Sequence, residues 1–137
     1  MEISFWLILL AAIAQFILGA LWYSPLMFGK WWMQIMECDH VPKEELQKMQ
    51  KEMGPFYGLQ FVLVFFTTFA FANFMIYASN LGIYHTAWWI WIGFMAPLQI
   101  SSVIWGNTKK KFWAKQMFVA VSYQLVGIML ASAILSL

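Results

Sequence analysis

Polar and apolar positions in this chain separate into long blocks. Four stretches are almost free of charge: Ser4 to Tyr23, Phe56 to Asn80, Ala87 to Trp105, and Phe112 to Ser136, the last with Lys115 in its first turn. At about 1.5 Å of rise per residue, each is long enough as a helix to cross a hydrocarbon core of roughly 30 Å. The pattern predicts an all-α fold, a four-helix transmembrane bundle forming one domain over residues 1–137. The first stretch also contains Ala12-Ile13-Ala14, which has the small-x-small look of a signal-peptide cleavage site. It lacks a positive leading segment, however, and its apolar run is too long for a signal peptide, so an uncleaved span is expected.

The segments between the blocks have their own patterns. In "ALWYSPLMFGKWW" the proline cannot continue a helical ladder, and the residue before it is pushed out of the helical region. The first span should therefore end at Tyr23. Beyond the break, Phe28, Trp31, Trp32, Ile35 and Met36 recur at helical spacing around Lys30, which predicts an interfacial helix with a snorkelling lysine. "HVPKEELQKMQKEMG" reads as a short amphipathic helix. Pro42 lies at its start, Glu44 and Glu45 in the first turn, Lys48 and Lys51 later, and Gly54-Pro55 at its stop. Its thin stripe of Leu46, Met49 and Met53 could rest on the membrane surface or on a neighbouring helix. The second loop, near Ser79 to Thr86, is expected to be tight, with Asn80-Leu81-Gly82 as a helix C-cap.

Charge then orients the bundle. All eight cationic side chains are lysines, and all fall in the first and third loops or at their borders: Lys30, Lys43, Lys48 and Lys51, then Lys109, Lys110, Lys111 and Lys115. The positive-inside rule places those loops in the cytoplasm and both termini outside, in a multi-pass protein of the cytoplasmic (inner) membrane. With no arginine there is no guanidinium fork for bidentate phosphate or carboxylate recognition. The net charge of +2 gives no basis for nucleic-acid binding. Cys38 is the single cysteine, so an intrachain disulfide is excluded. Composition agrees with the span pattern, at 63% hydrophobic and 10% charged residues.

Three blocks, "GALWYSPLMFGKWW", "WIGF" and "KFWAKQMFVAVSYQLVGIMLASAIL", resemble the bacterial and fungal membrane family called domain of unknown function 1761. The specific part is Gly19, Trp22, Tyr23, Ser24, Pro25, Phe28 and Gly29. The resemblance implies four spans and no assigned activity, and it carries over no catalytic or binding residue.

The chemistry visible in the residues is sparse. Apart from Lys115 at an edge, no Asp, Glu, Lys, Arg or His lies within a span, which argues against proton relays and coupled pumps. Cys38, Asp39 and His40 are adjacent but lack zinc spacing, and His85 falls at the outer interface. Neither a base-activated nucleophile nor a carboxylate pair is apparent. The expectation is a protein that is not an enzyme and needs no cofactor or metal.

Four uncharged polar side chains remain: Gln15, Gln60, Gln99 and Gln124. Gln15 shares a helical face with Ala11, Gly19 and Trp22, and Gln124 with Ala120, Gly127 and Ala131. Small residues permit close helix approach and Gln can bond across it, which is a packing role. The other reading places most of these side chains in the inner half of the bilayer, lining a polar pocket open to the cytoplasm. Two functions follow. One is a structural or interaction bundle that self-associates into a homo-oligomer or scaffolds a partner within the lipid bilayer. The other is a binding or permeation protein for a neutral or amphipathic, lipid-like molecule.

Overall fold

A computed structural model describes residues 2–137, and among them the regular structure is all helical, with no strand. Four helices are long and apolar enough to cross a membrane: α1 (Phe5–Trp22), α4 (Gly54–Tyr77), α5 (Ile83–Ile104), and α6 (Trp113–Leu135) with a short 3-10 turn leading into it. Two shorter helices, α2 (Gly29–Ile35) and α3 (Lys43–Glu52), lie in the first loop. α1 packs against α6 on one side and α4 on the other, α5 packs along α6, and α2 leans on the start of α6. The order across the layer is α4, α1, α6, α5.

The side chains explain the joins. Ser4 Oγ accepts the Trp6 N–H and starts α1. Pro55 occupies the first turn of α4, where its missing N–H costs nothing, and α3 stops just before it. In α5, Pro97 removes the N–H that would reach the Gly93 carbonyl, and its ring crowds that carbonyl. The ladder widens accordingly into a π turn over Trp91–Met95, with the Ala96 N–H bonded to the Trp91 carbonyl.

The structure corrects two details of the sequence reading. α4 ends at Tyr77, and Ser79–Leu81 forms a separate 3-10 turn. Gly82 is not a cap beyond the second span but the left-handed pivot (φ 79°) from which α5 starts. The third span therefore begins at Ile83 rather than Ala87. Thr86 satisfies its hydroxyl on the Gly82 carbonyl at 3.0 Å, so a polar residue there does not interrupt the helix. Of the Leu46, Met49 and Met53 stripe, Leu46 is half-buried and the two methionines are exposed.

Where the four long helices meet, the core consists of Ile8 and Ala11 of α1, Phe71, Ala72 and Met75 of α4, Ala87 of α5, and Ile128, Ala131 and Leu135 of α6. Lipid tails are as apolar as these side chains, so close van der Waals fit must hold the contact. Ala11, Ala87 and Met75 are fully enclosed. This core lies at the end of the bundle away from the lysines.

Candidate functional site

Several polar side chains within the spans bond between helices. Gln15 Nε2 donates to Thr68 Oγ1 at 2.6 Å and to the Ala11 carbonyl at 3.2 Å, joining α1 to α4. The Tyr123 hydroxyl donates to the Gln15 backbone carbonyl at 3.3 Å, joining α6 to α1. Gly19 makes room for this contact, because a Cβ there would stand 2.9 Å from the Tyr123 hydroxyl. Gly127 faces Gln15 Oε1 across the same interface. Gln124 Nε2 donates to Gln99 Oε1 at 3.1 Å, joining α6 to α5. Two indoles add further ties: Trp22 Nε1 donates to the Val119 carbonyl and Trp91 Nε1 to the Val121 carbonyl, each at 3.0 Å.

Of the four glutamines, then, Gln99 and Gln124 come together, Gln15 lies on another interface, and Gln60 is exposed on α4 near its lysine end. The side-chain oxygens of Gln116 and Gln124 are buried without a donor. Thr68 and Gln116 were not singled out from the sequence. Thr68 could have been found only by knowing that α4 lies beside α1, because its polarity alone does not distinguish it from Thr67.

The Gly19 to Gly29 block is a built corner. Tyr23 caps α1, Ser24 Oγ donates to the Leu21 carbonyl at 2.6 Å, and Pro25 turns the chain. The Phe28 N–H returns to the Trp22 carbonyl at 3.0 Å and the Gly29 N–H to the Ser24 carbonyl at 2.9 Å. Gly29 is pressed so closely on this turn that a Cβ would lie 2.5 Å from the Ser24 carbonyl carbon. Trp22 packs on Phe28, Phe28 on Phe118, and Tyr23 on Trp32 and Tyr123, with ring centroids 5.0–5.9 Å apart. The corner fastens α2 to α6.

Ionisable groups gather at the lysine end. Gln34, Glu37, Asp39, His40, Lys111 and Phe112 line an open cleft of about 430 Å³ between the end of α2 and the third loop. Glu37 is the one described non-glycine residue with positive φ (57°). Lys109 Nζ lies 2.6 Å from Glu37 Oε1, and this hydrogen bond and charge hold the Glu37 carboxyl below its ordinary range. His40 Nδ1 lies 3.2 Å from Asp39 Oδ1. Lys115 donates to Gln34 Oε1 at 3.2 Å with its ammonium over the Trp31 ring, and Lys111 sits over Phe112. Among the described residues, no three His, Cys, Asp or Glu side chains converge as metal ligands. A second cleft, lined by Glu2, Ile3, Ser4 and Ile76, lies at the opposite end.

A family model described as a protein of unknown function (DUF1761) matches residues 6–136, essentially the whole chain. No curated protein matches the chain, and no solved structure does.

Proposed function

The chain belongs to the DUF1761 family, whose function is unknown, and from that premise we propose that it is a non-enzymatic interaction bundle that self-associates in the cytoplasmic membrane through α4. The carrying observation is the contrast between its polar groups. Gln15, Gln99 and Gln124 bond across helices, whereas Gln60 does not and lies on an uncovered face. That face includes Phe56, Tyr57, Leu59, Leu63 and Phe66, each more than half exposed. Gly54 and Gly58, where a Cβ would meet nothing, lie on the side of α4 opposite Phe56 and Leu63, off this face.

An amide within a span favours a partner amide over hydrocarbon. A second copy related by a two-fold axis along the membrane normal, seated on the Gln60 face, supplies that amide. In this reading the lysine-bearing loops face the cytoplasm and both termini lie outside, as the lysine distribution favours.

Two experiments test the proposal. The mass of the protein in a mild detergent or nanodisc, with the surrounding detergent or lipid subtracted, should be a multiple of 16.0 kDa. Gln60→Leu together with Leu63→Ala should reduce it to the monomer while leaving helicity unchanged. A monomeric wild-type chain, or an unchanged mass in the double variant, would refute association through α4. For orientation, cysteines placed at Ser79 and Lys110 in a Cys38→Ser background should label from opposite sides of an intact membrane, Lys110→Cys only from the cytoplasm. Labelling from one side would refute the arrangement.

A further inference from the structure

The lysine-end cleft goes beyond self-association and does not depend on it. We propose that it is a binding site for the phosphate of an anionic phospholipid headgroup, held by Lys111 and Lys115 with Lys110 beside them. The first observation is charge left uncompensated. Among the described residues the third-loop lysine paired with a carboxylate is Lys109, on Glu37. Lys110, Lys111 and Lys115 have no carboxylate within ion-pair distance, and their ammonium groups lie 5.9, 4.9 and 5.4 Å from the ring centroids of Trp113, Phe112 and Trp31.

The second observation is depth. Lys115 is a partly buried residue on a helix long enough to span the membrane, and its one hydrogen-bond acceptor is the neutral Gln34. Its remaining N–H donors and its charge call for an anion from the membrane side.

The third is continuity. Gln34 both holds Lys115 and lines the cleft, and Lys111 and Phe112 form part of the same lining. One phosphate can therefore be shared between the two ammonium groups. The cleft's two acids are outnumbered by the lysines around it, Lys109, Lys110, Lys111 and Lys115. Glu37 is neutralised by Lys109, and Asp39 lies against His40. Trp31 and Met36, both partly exposed on α2, offer apolar surface to the glycerol and first acyl carbons. Basic pockets between spans at the membrane surface are where anionic headgroups bind.

The test is a lipid titration of the full-length protein in detergent, read as the shift in thermal midpoint and as adducts in native mass spectrometry. Phosphatidylglycerol should stabilise the protein saturably. Phosphatidylcholine, and inorganic phosphate at equal concentration, should have little effect. Near an anionic surface each lysine contributes on the order of a fivefold gain in affinity. Lys111→Gln, a change at an exposed position that leaves the fold intact, should weaken binding about fivefold, and Lys111→Gln with Lys115→Gln about 25-fold. Lys43→Gln/Lys48→Gln/Lys51→Gln in α3 removes more charge and should leave binding within about twofold of wild type. Equal loss in the α3 variant would mean non-specific surface attraction, and equal stabilisation by phosphatidylcholine, which has the phosphate but no net charge, would mean that the site does not select an anionic headgroup. Equal stabilisation by inorganic phosphate would assign the site to a soluble anion. Any of the three overturns the proposal, whether the protein is a monomer or an oligomer.

Discussion

The two ends of the bundle are built differently. At the lysine-free end the four long helices close on Ala11, Ala72, Ala87 and Ala131 with Met75 enclosed between them, and the fit is almost wholly apolar. At the lysine end α4 separates from its neighbours, and every residue from Gly54 to Gln60 is exposed. α1 and α6 are instead joined there by directional contacts: the Trp22 indole on Val119, the Tyr123 hydroxyl on Gln15, and the aromatic corner around Phe28. One end is held by shape, the other by hydrogen bonds and rings. The difference shows where stability resides and where surface is left for other molecules.

The sharpest way to break the contrast is to overfill the lysine-free end and compare an open position at mid-span. Ala11→Leu or Ala131→Leu places a branched side chain where neither residue has free surface, and should cost about 3 kcal/mol in thermal or denaturant unfolding. Gly93→Leu, in the open π turn of α5, should change stability by less than about 0.5 kcal/mol. If both substitutions had the same effect, the lysine-free end would not be the tightly packed one.

Next in size is Gly29→Ala. The new Cβ falls against backbone rather than a flexible side chain, so the corner must open, at a cost of about 2 kcal/mol. The expected sign is lost protection of the α2 amides in hydrogen exchange, with the α4 amides unaffected. Smaller still is Gln15→Leu, which removes the tie to Thr68 and should cost roughly 0.6–1.7 kcal/mol. A stabilising result would mean that this amide is poorly satisfied.

The smallest effect is electrostatic. Lys109 lowers the Glu37 carboxyl, so that pair adds stability above the unfolded-state carboxylate range and loses it as pH falls through the lowered folded-state value. Both side chains are more than half exposed, so the contribution is small and screened by salt. Lys109→Gln should lower the thermal midpoint slightly at neutral pH and not at all in strong acid.

The spans were readable in the sequence because twenty or so uncharged residues leave a helix few alternatives, and the break at Tyr23 because proline acts locally. The start of α5 was misplaced by His85 and Thr86, whose polarity looked like loop. Thr86 bonds back to its own helix and His85 is exposed, so both belong to the span's first turn. The roles of the glutamines were not readable, because hydropathy is blind to which spans are neighbours. Gln15 and Gln60 look alike along the chain, and only the order α4, α1, α6, α5 puts one on Thr68 and leaves the other uncovered. Gln34 was hidden for the same reason, since its partner Lys115 comes from the other end of the sequence.

The central claim is that the open half of α4 is left for a second copy rather than for lipid alone. Cysteine cross-linking in native membranes tests it most directly, using Gln60→Cys in a Cys38→Ser background, with Leu98→Cys, on an equally exposed stretch of α5, as the control. The account predicts a rapid dimer band through position 60 and none above background through position 98. Equal cross-linking at the two positions, or none at position 60, would contradict it.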